Sequence, residues 1–360
     1  MMGRAGRVPS LSDVPQLGVG ATPDGYNRLV VASDAVLFNH AGAGHQVKIN
    51  KSAAGDTASL LFQTGFGGRA ELGTAGSDDF TFKVSADGSS WAEALRIEAA
   101  TGRVTAPVSG WREMLTGPRT YYVDPLLGSD TRDGQTTGQG AFATLDRAVT
   151  EVAHVDGSGH PVTVQLADGV YDLGAVPVGI MAPLGGGGIE IIGNVTNPNA
   201  VTVTSSGAAM ELVTGRLKLH GVRLETSGTK PTLRVLSGGV LEVDQVTFGT
   251  AGGHIDLVGG RLDGGGSYAI DGGAAYHLRL SQGAVLGGGV QALTLSNTPN
   301  FTTAFAICTM AGQADFSGHS FAGTATGRRF DVATQGVIQS GGIVLPGDTA
   351  GSVQSGGIYV

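Results

Sequence analysis

The sequence predicts an all-β fold: a small N-terminal β domain, then a β-solenoid with one capping helix at its start. Three observations carry this. Glycine makes up 62 of 360 residues, against a usual share of roughly 7%. It recurs between short apolar runs with no G-X-Y period, as in a chain of strands and tight corners. Only one segment carries a helical apolar pattern, and after it short alternating strands repeat at a loose interval as far as residue 300.

Taken in order, residues 1–25 contain Pro, Gly and Ser without periodicity and read as an attachment arm. Residues 26–110 read as a compact β domain. In "DFTFKVSADGSSWAEALRIEAATGRV", Phe80, Phe82 and Val84 share one strand face, and Leu95 and Ile97 follow a "DG" turn. Residues 111–160 hold a linker and the helix. "FATLDRAVTEV" places Leu145, Ala148, Val149 and Val152 at i, i+3, i+4 and i+7, with Thr144 as N-cap.

Residues 161–300 hold the solenoid strands. Similar segments begin at Leu217, Leu233, Ile255 and Leu278, 16 to 23 residues apart. At roughly 20 residues per turn this region makes about seven to nine turns. Each turn stacks about 4.8 Å from the next, and the first exposes its apolar column and strand edges unless something covers them. The helix is expected to be that cover. Residues 301–360 keep β character and end Gly-rich, which leaves open whether they continue the coil or form a tip.

The totals exclude several functions. A net charge of −8 without a Lys/Arg cluster argues against nucleic acid as partner. One cysteine, Cys308, allows no intrachain disulfide and no CxxC motif. No apolar run reaches membrane-spanning length, so no membrane insertion is expected. The start has basic residues without a continuous apolar core, so no signal peptide is read and synthesis in the bacterial cytoplasm is expected. No phosphate loop is present, since "GAGHQVKINKSAAGD" departs from the Walker pattern. No cofactor is implied.

Several motifs resemble a known class. "YYVDPLLGSD", "AFATLDRAV" and "VTVQLADGVYDL" resemble the opening of right-handed parallel β-helices of the pectate-lyase-like type, as in phage tailspikes. Residues 26–104, with "NRLVVASDAVLFNHAGAGHQVKINKSAAGDTASLLF" and "LRIEAATGRV", are similar to a domain of tail and head fibres of alphaproteobacterial prophages and gene transfer agents. "GTATGRRFDV", "LPGDTAG" and "GGIYV" are similar to the ends of such fibres. The resemblance implies a virion fibre or spike, homotrimeric, attached through residues 1–25 to a particle base or adaptor, and binding a host surface glycan. It does not by itself imply an enzyme. A trimer also suits a thin coil that buries little apolar area alone and gains avidity for a repeating glycan.

Two rival functions stay open: a polysaccharide depolymerase, and a structural spacer that carries another receptor-binding protein. Glycoside cleavage needs two carboxyl groups at a defined separation. Candidates are Glu242 and Asp244, two apart in "LEVDQV" and directed to solvent, with Asp256 and Asp263 on nearby turns. The plainer reading makes them surface residues that keep the coil soluble.

For glycan binding, Tyr268, Tyr276 and Asp271 lie in a Gly-rich stretch read as exposed loop; Tyr171 and Phe248 are further candidates, Phe248 equally a core residue. Phe301, Phe305, Phe316, Phe321 and Phe330 are spaced as inward positions. No metal site is assigned; His40 and His45 are the only weak candidates. His220, His254 and His277 read as surface positions at strand ends. Asp124, Asp130 and Asp133 could serve a Ca²⁺ loop but lack EF-hand spacing, and a turn-rich connector is the preferred reading.

Overall fold

The computed structural model describes residues 14–107, 112–287, 289 and 291–360. Part of the expected arm, residues 1–13, and part of the expected linker lie outside these. The chain divides into two compact units, 1–104 and 105–360.

In the first unit, Leu17–Val19 pairs in parallel with Leu29–Val31, and a five-stranded sheet follows from Thr57. Its antiparallel register sets Leu60, Leu72, Phe82 and Leu95 in one row, with Thr74, Phe80 and Ile97 in the next. Directly opposed residues share a face, so the alternation read in "FTFKV" produces an apolar face. That face is open: Leu60, Phe62, Phe80, Phe82 and Val84 are each more than a third exposed. Polar partners meet elsewhere on the sheet, where Ser59 donates to Glu71 at 2.6 Å and Arg96 pairs with Glu93 at 2.7 Å and Asp79 at 3.1 Å.

The second unit is a right-handed parallel β-solenoid of about eight turns. A full turn has three strands, here assigned to sheets A, B and C. Sheet A stacks Arg119–Val123, Val162–Leu166, Ile189–Ile192, residues 215–220, Gly239–Asp244, Arg261–Asp263 and their successors. Sheet B runs from Gly169–Asp172 to Ser320–Ala322, and sheet C from Val178–Met181 through Gly253–Val258, Ala274–Ser281 and Asn300–Cys308. Met210–His220 is one long strand that serves sheet C with its first half and sheet A with its second. It turns at Gly215, whose φ of +88° suits glycine and whose missing Cβ leaves room for Ala182.

The turns are longer than the sequence spacing suggested. In sheet A, Val162, Ile189, Leu217, Leu241, Leu262 and Leu286 stack 21 to 28 residues apart. Leu233, Ile255 and Leu278 are equivalent positions, in sheet C, whereas Leu217 belongs to sheet A. The shortest step in the sequence reading was therefore a passage between sheets within a turn. Residues 301–360 continue the ladders: Phe330–Val332 and Val337–Gln339 pair onto the preceding turn, and Ser352–Val353 and Ile358–Tyr359 onto them.

Helix α1 (Leu145–Ala153), the one α-helix among the described residues, buries Leu145, Ala148, Val149 and Val152 against the first strands of the solenoid. Thr144 Oγ1 accepts the Arg147 N–H at 3.2 Å, and Asp130 accepts the Ala143 and Thr144 N–H groups at 2.9 and 3.0 Å. Asp124 likewise accepts from Leu126 and Leu127, and Asp133 from Gln135. The acidic run is a set of turn and cap acceptors, as the plainer reading had it. Thr144→Ala is expected to lower stability by about 1 kcal/mol, read as a shift in the denaturant midpoint with an unchanged slope.

Candidate functional site

The outer face of sheet A gathers a row of charged and polar side chains. Alternation places them there. In "IEII", "RLKLH", "VLEVD" and "RLD", the residues Ile189, Ile191, Leu217, Leu219, Leu241, Val243 and Leu262 fill the core, so the residues between them face out. In-register parallel pairing stacks Glu190, Lys218, Glu242 and Asp263 in one row along the axis, with His220 and Asp244 in the next. Successive members of a row stand about 4.8 Å apart. Lys218, His220, Glu242, Asp244 and Asp263 line a cleft of about 280 Å³ floored by Gly264–Gly266.

The charges in this cleft answer one another. Lys218 Nζ lies 3.2 Å from Glu190. His220 stands between two carboxylates, its Nε2 3.2 Å from Glu190 but out of hydrogen-bonding line, its Nδ1 3.6 Å from Asp244. Burial, aided by Lys218, lowers the His220 pKa against the pull of Glu190 and Asp244. Arg216 pairs with Glu242 and reaches Asp263 at 3.4 Å, and Arg261 pairs with Asp263. Asp244 accepts the Ser267 N–H at 2.9 Å. The row thus sets one ammonium, Lys218, among three carboxylates on successive turns. Each carboxylate is already engaged by a cation, an imidazole or a backbone N–H, which suits fixed acceptors better than a proton-donating acid.

Of the four carboxylates considered for catalysis, Glu242, Asp244 and Asp263 come together here, on the outer face and half-buried. Asp256 does not join them. It sits on sheet C with a side chain 0% exposed, held by Arg279 at 2.6 Å and Arg234 at 3.3 Å from the turns on either side. The reading of it as a surface residue is corrected: Arg234 and Arg279 cover it, and Arg279 in turn lies over the Tyr276 ring. Glu190, Lys218 and His220 were missed as site residues. Their signal was the alternation in "IEIIG" for Glu190 and in "LKLHG" for Lys218 and His220, the same pattern as "LEVDQ" one turn later.

The expected ligand-binding trio is corrected too. Tyr268 and Tyr276 are buried strand residues rather than exposed loop residues. The Tyr268 hydroxyl bonds His277 Nε2 at 2.8 Å inside the coil, and Arg279 lies over the Tyr276 ring at 4.7 Å, so neither ring is free to stack on a sugar. Asp271, in the corner after sheet B, binds Arg223 at 2.6 Å. The Tyr171 hydroxyl is taken by the Val123 and Ala167 carbonyls, and Phe248 is core.

His254 and His277 are buried within the coil rather than at its surface. Phe301, Phe305, Phe316 and Phe330 are inward as expected, with Phe321 partly buried against them. His40 and His45 are both exposed; His40 Nδ1 accepts the Gly42 N–H and His45 stacks on Phe38. Among the described residues no group of three or more His, Cys, Asp or Glu could hold a metal ion.

A larger cleft of about 550 Å³ lies beside α1, walled by Val170, Val176, Pro125 and Pro177. Its Asp130 is committed to the helix cap. Comparison with protein-family models, curated proteins and solved structures finds no match for this chain.

Proposed function

We propose that this chain is the subunit of a homotrimeric fibre or spike of a phage or gene-transfer-agent particle, and that it binds a host surface polysaccharide without cleaving it. The observation that carries the glycan reading is the polar row Glu190–Lys218–Glu242–Asp263 with its cleft, stacked along a parallel solenoid. A polymer laid along that axis meets carboxylate acceptors on successive turns beside the Lys218 ammonium. The resemblance of residues 26–104 to particle fibres supports the virion assignment. The open apolar face of the N-terminal sheet supports self-association, because exposed patches of this kind mark contact surfaces.

Retention of the purified chain on surface polysaccharide from alphaproteobacterial hosts tests the reading. Glu242→Ala is expected to weaken retention roughly tenfold, about 1.4 kcal/mol. A mass near three times 36.2 kDa is expected by light scattering, falling toward the single-chain value in Phe82→Asp. A single-chain mass at every concentration removes the trimer. Wild-type protein that is trimeric but never retained favours the spacer role.

A further inference from the structure

Inside the coil, four groups form an unbroken row across two consecutive turns. The Tyr268 hydroxyl meets His277 Nε2 at 2.8 Å, His277 Nδ1 meets His254 Nδ1 at 3.1 Å, and His254 Nε2 meets the Gly249 carbonyl at 2.9 Å. The row joins a sheet B strand to two neighbouring sheet C strands. Phe248 stands 5.3 Å from the His254 ring, 5.6 Å from His277 and 5.5 Å from Tyr268; Phe305 stacks on His277 at 5.1 Å.

Chemistry fixes the direction of the row. A carbonyl only accepts, so His254 carries its hydrogen on Nε2 and, when neutral, presents a bare Nδ1. His277 must then donate from Nδ1, leaving its Nε2 to accept from Tyr268. Every donor and acceptor is used once. A proton added at His254 Nδ1 would set two N–H groups face to face. One added at His277 Nε2 would force the Tyr268 hydroxyl to reverse and leave its hydrogen unpaired. Either places a charge among phenyl rings, where desolvation is costly.

We propose that the Tyr268–His277–His254 row is an acid-sensitive lock: it holds the middle turns closed while both imidazoles are neutral, and uptake of a proton releases them. The charged and titratable groups on the surrounding elements are Asp271 with its Arg223 partner, Asp256 with Arg234 and Arg279, Tyr276, and Cys308. Of these, only Asp271 favours a charged His254, and desolvation outweighs it. Burial lowers the His254 pKa from 6.5 to about 4, and burial with the neighbouring His254 lowers that of His277 well below 6.5. The unfolded chain therefore binds more protons than the fold below pH 6.5. The stability from this row is complete above that value and is lost as pH falls toward about 4. At pH 5 the His254 shift alone moves the unfolding equilibrium about 30-fold. This inference is independent of any glycan.

The test is made on the full chain labelled with ¹⁵N at histidine. At pH 7.5, ring spectra are expected to show His254 as the Nε2–H tautomer and His277 as the Nδ1–H tautomer, both neutral down to pH 5. Denaturant midpoints are expected to fall between pH 7.5 and 5, and the His254→Phe/His277→Phe double variant to fall less. The same tautomer on both rings, or titration of either near 6.5, overturns the proposal. So does a variant with the wild-type pH dependence. If the double variant does not fold, the wild-type spectra decide.

Discussion

Gly272→Val is expected to abolish the native solenoid. Gly272 sits in the corner after sheet B, stacked on the corner of the preceding turn, and a Cβ there would enter the backbone at Gly249 and Thr250. Neighbouring turns are held about 4.8 Å apart by the ladders on either side, so the corner cannot lift without breaking pairs in sheets B and C. The obstacle is main chain, with no flexible side chain to yield. Loss of soluble protein, or of the β signal in circular dichroism, is the expected readout. Gly179→Val is the control, since a Cβ at Gly179 meets nothing within 4 Å; that variant is expected to fold. Normal folding of Gly272→Val would mean that the stacking of these two corners is wrong.

Phe248→Ala is expected to cost about 3–5 kcal/mol, the usual range for a buried phenylalanine. Phe248 is 0% exposed and touches both histidines and Tyr268, so the cavity opens beside the polar row rather than among aliphatic groups that could collapse into it. Because each turn of a solenoid contacts only its neighbours, the loss is expected to be local. Hydrogen exchange should quicken at residues 247–280 and change little near α1. Uniform acceleration through the whole unit would show that the turns do not unfold separately.

What could be read from the sequence was what local periodicity controls. Leu145, Ala148, Val149 and Val152 line the buried face of α1, and Thr144 caps it, because a nine-residue helix is specified by its own spacing and cap. Glu242 and Asp244 face out because Leu241 and Val243 face in. The reading of "HIDLV" failed. His254, as a strand end, and Asp256, as a solubilising carboxylate, were placed at the surface, yet Gly253–Leu257 is buried on both sides, with aromatic rings packed at the His254 ring and arginines over Asp256. Those partners come from residues 22 or more positions away or from other sheets, and nothing in the strand announces them. The glycines around Tyr268 and Tyr276 suggested loops, but they mark close approach between corners, with the tyrosines in the strands between.

The period itself was blurred. Corners of unequal length spread equivalent positions over 21 to 28 residues, and segments of different sheets looked like repeats of one another. For the candidate site, the acidic half could be read in one strand. The basic half, Lys218 and His220, joined it only once parallel register set one turn upon the next.

The most direct test of the proposed function is to incubate the purified chain with capsular and surface polysaccharides of candidate alphaproteobacterial hosts, following both retention of protein and length of polymer. The prediction is retention with unchanged polymer length, weakened by Glu242→Ala. Shortened polymer would contradict a non-cleaving fibre and make Glu242, Asp244 and Asp263 the first residues to replace in search of an active site.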